Sequence, residues 1–306
     1  MPARIALALL VLSSMCPLCL CGESSLESRL APLAKAHKGK VAIAVKHLSS
    51  GESYNLNADE PMPTASLIKL PVMLELYQQA EEGKVKLTDP VTLHKEDKVP
   101  GSGILTYHFS DGATFCLRDA CRLMIAFSDN TATNLVLDKI GIMPVNKCME
   151  AWGYSNTKIN AKSFKGSTTS VAPDRTKKYG LGSTTAREMV ALLEDLETCK
   201  HCRPVIKQII LGHLRECDDK DKFLRLLPDG VDLPHKTGSV SNARTDAGIM
   251  YLHSGAIALC VLTNENEDTR WKPDNGGNEF CAKVAKEVYE HFGVVNRPKL
   301  LGSHQP

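Results

Sequence analysis

A hydroxyl and an amine lie three residues apart in the stretch Thr64-Ala65-Ser66-Leu67-Ile68-Lys69. Leu67, Leu70 and Leu74 recur at helical spacing, so the stretch predicts a helix with one buried face, capped by Thr64 and running to about Glu82 before Gly83. Ser66 then falls in the first turn, where unpaired N–H groups and the helix dipole favour negative charge, and Lys69 follows along the same face. A serine hydroxyl is a weak nucleophile until a neighbouring base takes its proton, and a partly desolvated lysine can be that base. Taken alone, Ser-x-x-Lys recurs by chance. Two later motifs add to it. Ser128-Asp129-Asn130 falls between two helical patterns. It reads either as a polar turn projecting into a cleft or as the N-cap of the helix from Thr131. Lys236-Thr237-Gly238-Ser239 ends a strand pattern. There Gly238 would let the backbone approach a ligand closely; the alternative is an edge turn with a solvated lysine.

These residues need elements to hold them. Val41 to Lys46 and Ser53 to Leu56 flank the turn Ser49-Ser50-Gly51-Glu52 and read as a hairpin leading into the Ser66 helix. From Leu87 to Asp111 the chain is polar and rich in Pro and Gly, the pattern of a loop bordering a cleft. Leu117 to Ala126 and Thr131 to Ile140 are helical patterns on either side of Ser128, the second stopping at Gly141. Gly153 to Arg187 reads as a long basic loop with Asp174 as its single acid. Helices are expected from Ala186 to Leu196, capped by Thr184 or Thr185, and from Val205 to Leu214. Strand patterns at Leu233 to Gly238, Ala247 to Leu252 and Ala256 to Thr263 sit at hairpin spacing and imply an antiparallel sheet. Asn278 to Phe292 places Phe280, Val284, Val288 and Phe292 four apart, an amphipathic helix that can lie on that sheet. The expected class is α/β. A sheet lobe of about residues 36–60 and 215–295, flanked by helices, is interrupted by an all-helical lobe of about 61–214, with a cleft where the lobes meet.

Composition narrows the partner. The 306 residues carry 37 Lys+Arg and 35 Asp+Glu, a formal charge of +2, with no basic tract. Nucleic acid is therefore not the expected partner, and a small molecule is. Met1 to about Cys21 reads as a secretory signal, with Arg4 as its positive end and Ile5 to Leu12 as an apolar run too short to span a bilayer. Export to a periplasmic or extracellular location is expected, with residues 22–306 as one domain and no later membrane-spanning segment. A lipid-anchored form at Cys16 or Cys21 is the alternative to a soluble one. Of the 11 cysteines, Cys116, Cys121, Cys148, Cys199, Cys202, Cys217, Cys260 and Cys281 lie beyond the leader. An even count in an exported chain implies at least one disulfide, with Cys260 and Cys281 as a candidate pair. Cys199-Lys200-His201-Cys202 could instead be half of a zinc site or a redox pair, but beyond the leader no second Cys-x-x-Cys exists to complete a zinc site, and no metal or cofactor is expected.

Together and in this order, Ser66-x-x-Lys69, Ser128-Asp129-Asn130 and Lys236-Thr237-Gly238 resemble the active-site set of class A β-lactamases and penicillin-binding proteins. The separations are 128 − 66 = 62 and 236 − 128 = 108 residues. The resemblance runs from the Val41 strand to the final helix. It implies that Ser66 opens a β-lactam ring, that Lys69 is its base partner and that Ser128 relays a proton to the leaving nitrogen. Asn130 would bind the substrate's side-chain amide. Lys236 would supply positive potential, with Thr237 and Ser239 bonding the substrate carboxylate, and the N–H groups of Ser66 and Ser239 would form the oxyanion hole. Asp129 is read as structural. Arg244 is either a second carboxylate clamp or a partner for Asp246. One departure stands out: class A enzymes resembling this chain carry a water-activating glutamate in the loop that corresponds to Gly153 to Arg187, and here that loop has none. Thr168 or Thr169 falls near that position, and Asp174 looks paired with Arg175. The substrate implied is a β-lactam or a peptidoglycan stem peptide, taken by a monomer. A β-lactam-binding protein without turnover is the third reading beside hydrolase and peptidase.

Overall fold

The computed structural model describes residues 25–293, so the expected leader, with the cleavage or lipidation site expected in it, lies outside the described residues. Five strands form one antiparallel sheet: β1 (Lys40–His47), β2 (Ser53–Leu56), β3 (His235–Val240), β4 (Ala243–Leu252) and β5 (Gly255–Asn264), in the order β2-β1-β5-β4-β3. The first hairpin and the closing meander thus meet along β1 and β5, with Ala44 opposite Cys260. Alternation along β1 and β5 divides the molecule. Val41, Ile43 and Val45, with Ile257, Leu259 and Val261, face α1 (Leu26–Ala36) and the last helix, here α8 (Gly276–Gly293). Ala42, Ala44, Ala258, Cys260 and Leu262 face the helices between the two halves of the sheet. Burial on both faces is why β1 shows only weak alternation in the sequence.

The helical side is built on α2 (Lys69–Glu81), which is buried nearly all round, as its run of apolar residues demands. Around it pack α3 (Leu117–Ala126), α4 (Asn130–Ile140), α5 (Ile142–Ala151), α6 (Ala186–Glu197) and α7 (Pro204–Arg215). Asp129 caps α4 through Ala132 N at 2.8 Å, and Thr185 caps α6 through Glu188 N at 3.1 Å. Helix α5 is absent from the sequence reading because Gly141 ends α4 and at once precedes α5, so one stop signal hides a second start. Helix α1 also escaped the sequence reading.

Two expectations are corrected. Thr64 does not cap a helix: it makes no side-chain cap bond, Ala65–Ile68 is a 3-10 turn and the α-helix begins only at Lys69. The Cys260–Cys281 disulfide is not formed, and all eight cysteines of the described residues are free. The period of two along β5 aims Cys260 at the helical lobe, whereas Cys281 packs on the opposite face of the sheet.

Candidate active site

The three motifs converge where β3, the Ser66 turn and the α3–α4 junction meet. Ala65 and Ser128, both non-glycine residues, take positive φ (47° and 51°), local strain that aims the two hydroxyls. Asp129 holds the junction: its Oδ2 accepts from Ile104 N and Leu105 N, each at 2.8 Å. Gly238 lies against the Ser66 turn rather than opening space for a ligand, since a Cβ there would stand 2.4 Å from Thr64 O and 2.9 Å from Leu67 N. Thr245 Oγ1 closes the same seam by donating to Thr64 O at 2.9 Å.

Ser66, Ser128, Lys236, Thr237, Ser239 and Arg244 line one cavity of about 580 Å³. Lys69 lies fully buried behind its wall, with its Nζ within hydrogen-bond distance of Ser128 O (2.6 Å), Ser128 Oγ (3.3 Å) and Asn130 Oδ1 (2.9 Å). Lys236 Nζ donates to the same Ser128 Oγ at 3.2 Å and to Thr237 O at 2.8 Å. Ser128 Oγ is therefore a bridge between two buried amines. Burial pushes the Lys69 amine well below its ordinary range, and the charge of Lys236 adds to this against the opposing effect of Asp129. Burial likewise lowers Lys236. Two ammonium groups sharing one hydroxyl cannot both hold charge cheaply, so Lys69 is the group able to accept a proton.

Asn130 and Arg244 stand differently from the sequence expectation. Asn130 does not reach the cavity wall: its Oδ1 is taken by Lys69, and its Nδ2 donates to Pro100 O at 3.2 Å. It holds the lysine. Arg244 does not pair with Asp246. Its guanidinium donates to the carbonyls of Val240, Ala243 (2.9 Å) and Arg270 (2.9 Å) and stacks over the Trp271 ring at 4.9 Å, so its charge faces the cavity while most of its donors are engaged. Asp246 instead accepts from His235 Nδ1 at 2.9 Å.

The segment 153–187 is not one loop. It contains short strands Lys158–Ile159 and Gly182–Thr184 and short helices Gly166–Thr169 and Pro173–Tyr179, and none of its residues lines the cavity. Asp174 is exposed, and Arg175 bonds to Ser183 Oγ and not to Asp174. Thr169 Oγ1 bonds within its own turn, to Lys165 O at 2.7 Å. Glu188 accepts from Asn156 N (3.0 Å) and Thr157 Oγ1 (2.7 Å) and so fastens the segment to α6. The acids on the cavity wall are Asp218, Asp219 and Asp221, from the link between α7 and β3, a segment the sequence reading passed over. Burial pushes the Asp219 carboxyl up, but the Lys222 charge together with hydrogen bonds from Lys222, Asp221 N–H and Thr237 outweighs it and holds the group down to about 2.

The family model for the beta-lactamase enzyme family matches residues 25–292. The chain is 24% identical over 276 residues to a β-lactamase of Bacillus licheniformis, covering 89% of this chain and 85% of that protein. It is 24% identical over 280 residues to beta-lactamase 3 of Bacillus cereus, at 90% and 84% coverage. Among solved structures, a β-lactamase of Sphaerobacter thermophilus superposes with a TM-score of 0.77 at 25% identity, covering 88% of this chain and 99% of that one. A leucine-to-glutamate variant of PBP-A, as its acyl-enzyme with penicillin G, superposes at 0.76 with 24% identity, covering 88% and 96%. With a family match that runs from the first described residue almost to the last, over a site where Ser128 Oγ bridges the buried Lys69 and Lys236, the chain belongs to the beta-lactamase enzyme family and is a β-lactamase-type serine hydrolase.

Proposed function

We propose that the protein is exported and opens β-lactam rings through an acyl-enzyme on Ser66, and that the acyl-enzyme is released slowly. The single observation that carries the acylation step is Ser128 Oγ held between Lys69 and Lys236, at 3.3 and 3.2 Å. Lys69, with its amine depressed by burial, takes the Ser66 proton as the hydroxyl attacks the carbonyl carbon. Ser128 then passes a proton to the leaving nitrogen under the charge of Lys236. The N–H groups of Ser66 and Ser239 receive the developing oxyanion, and in hydrolases generally one such donor is worth about 10²–10³ in rate. Lys236, Thr237 and the field of Arg244 attract the substrate carboxylate.

Slow release rests on a different observation: no residue of 153–187 reaches the cavity, and the two acids nearest in sequence are an exposed Asp174 and an engaged Glu188. A missing general base typically costs about 10²–10⁴ in the step it serves. A chromogenic cephalosporin should therefore show a burst of one equivalent followed by slow turnover, with the adduct on Ser66 visible by intact mass. Fast steady hydrolysis without a burst would overturn the slow-release reading. Sustained release of D-alanine from a stem peptide would favour the peptidase reading instead.

A further inference from the structure

A second nucleophile lies in the wall of the same cavity. Cys217, 4% exposed, lines the cavity with Ser66, Ser128 and Lys236, its Sγ 3.9 Å from Thr237 Oγ1. Behind it is His235, 1% exposed on β3, whose Nδ1 is held by Asp246 at 2.9 Å. Asp246 is held in turn by Phe223 N at 3.1 Å. His235 Nε2 is fully buried without a hydrogen-bond partner, and the Cys217 thiol is near enough to raise the imidazole. Thiol, imidazole and carboxylate thus stand in series, the order that generates a thiolate in cysteine nucleophiles.

The series follows from register. His235 pairs with Gly248 and Thr237 with Asp246 across β3 and β4, so His235 and Asp246 are diagonal neighbours on one face. Gly248 gives the ring its room, since a Cβ there would stand 2.6 Å from His235 Cβ. Neither the seam at Ser66 nor the Lys69–Ser128–Lys236 bridge uses any of the three groups.

We propose that Cys217 is a thiol-exchange site for small disulfides that carry a carboxylate, and that its modification closes the cavity to β-lactams. The closing effect rests on the Ser66 reading; the exchange does not. The Cys217 thiolate attacks one sulfur of the disulfide, the reagent's S–S bond breaks, and a Cys217–S bond forms. The departing thiolate carries away the electron pair and takes a proton from water. Lys236 and Arg244 supply the positive charge that draws in the reagent's carboxylate. The adduct then occupies the space beside Thr237. Any thiol reductant reverses the step by the same exchange.

Electrostatics agree with the geometry. Burial pushes the Cys217 thiol up, but the charges of His235 and Lys236 outweigh it and leave the thiol below its ordinary range, with Asp246 opposing. The other charged groups around the cavity wall are Asp218, Asp219, Lys220, Asp221, Lys222 and Arg244. Asp246 and Cys217 together keep His235 protonated against its burial.

The test treats the full-length protein with an aromatic disulfide bearing carboxylates, maps the modified cysteines by peptide mass, and follows penicillin labelling of Ser66. Cys217 should be modified first and reversibly, and labelling should fall at least tenfold and return with dithiothreitol. Its alkylation by iodoacetamide should slow less than about threefold from pH 8.5 to 6.5, where an ordinary thiol slows about 50-fold. A His235→Asn variant should regain the ordinary pH profile, and a Cys217→Ala variant should be indifferent to the disulfide. If Cys116, Cys148, Cys199 and Cys202 react while Cys217 does not, or its rate follows the ordinary profile, the site is refuted. Modification of Cys217 without loss of labelling would refute the closing effect alone. A protein that Cys217 modifies normally but penicillin never labels would refute the Ser66 reading and leave the thiol site standing.

Discussion

Replacing Gly238 by alanine tests how the active site is assembled, because it adds one methyl group at a residue that contributes no side chain to the chemistry. The new Cβ would stand 2.4 Å from Thr64 O, 2.5 Å from Thr245 Oγ1 and 2.9 Å from Leu67 N. Reaching even a tight 3.0 Å from Thr64 O requires a shift of 3.0 − 2.4 = 0.6 Å. Thr245 can rotate, at the loss of its bond to Thr64 O, but Thr64 and Leu67 offer only backbone, and they bracket Ser66. The turn must therefore move away from β3, carrying the nucleophile from Ser128 and Lys236. Overpacking of this kind costs about 1–3 kcal/mol, which in a domain of this size lowers Tm by roughly 2–4 °C per kcal/mol. The kinetic effect should be larger, since a misplacement near 1 Å can cost about 10²-fold. Stopped-flow acylation with a fluorescent penicillin should fall by about 10²-fold while circular dichroism shows a folded protein melting several degrees lower. Acylation within threefold of the unaltered protein would refute the view that the contact between β3 and the Ser66 turn sets the geometry.

Three further outcomes follow from the same site. Ser66→Ala should abolish covalent penicillin labelling and leave the melting temperature within about 2 °C, because this hydroxyl is no part of the buried lysine network; a persistent label would place the nucleophile elsewhere. Lys236→Ala should slow acylation by a carboxylate-bearing β-lactam by more than 10²-fold and act less on an analogue lacking the carboxylate; equal losses on both would remove Lys236 from carboxylate recognition and leave it as the support of Ser128. Asp219 has its folded pKa depressed to about 2, so its contribution is present above its unfolded value near 4 and is lost as pH falls through about 2. Asp219→Asn should therefore lower stability at pH 6 by on the order of 1 kcal/mol, after allowance for screening at a partly exposed side chain, and the difference from the unaltered protein should shrink in acid unfolding curves between pH 4 and pH 2. A constant difference across that range would assign the effect to packing.

The chemistry of this protein was legible in one dimension where the reacting groups are neighbours in the chain. Ser66 and Lys69, Ser128 and Asp129, and Lys236 and Gly238 each sit within one turn or one strand end, so spacing alone fixes their relative placement, and the strands and helices that carry them announce themselves by period. The cysteines were not legible in the same way. Counting thiols implied a disulfide, but the phase of β5, set by its pairing with β1 and β4, turns Cys260 to one face of the sheet while Cys281 lies on the other. Asn130 is two residues from Ser128 in sequence, yet the helix that starts there turns its side chain onto Lys69 and Pro100 O. Arg244 and Asp246 are two residues apart on a strand and share a face, which made an ion pair reasonable; instead the carbonyls of the β3–β4 turn take the guanidinium, and the carboxylate turns to His235 across the register. Cys217, His235 and Asp246 are separated by 18 and then 11 residues in the sequence, and no local pattern joins them. They meet because the link after α7 passes over the edge strand of the sheet. Local spacing determines which side chains leave one element together; which element they then meet is a matter of strand order and register, and these are decided only when the sheet has closed.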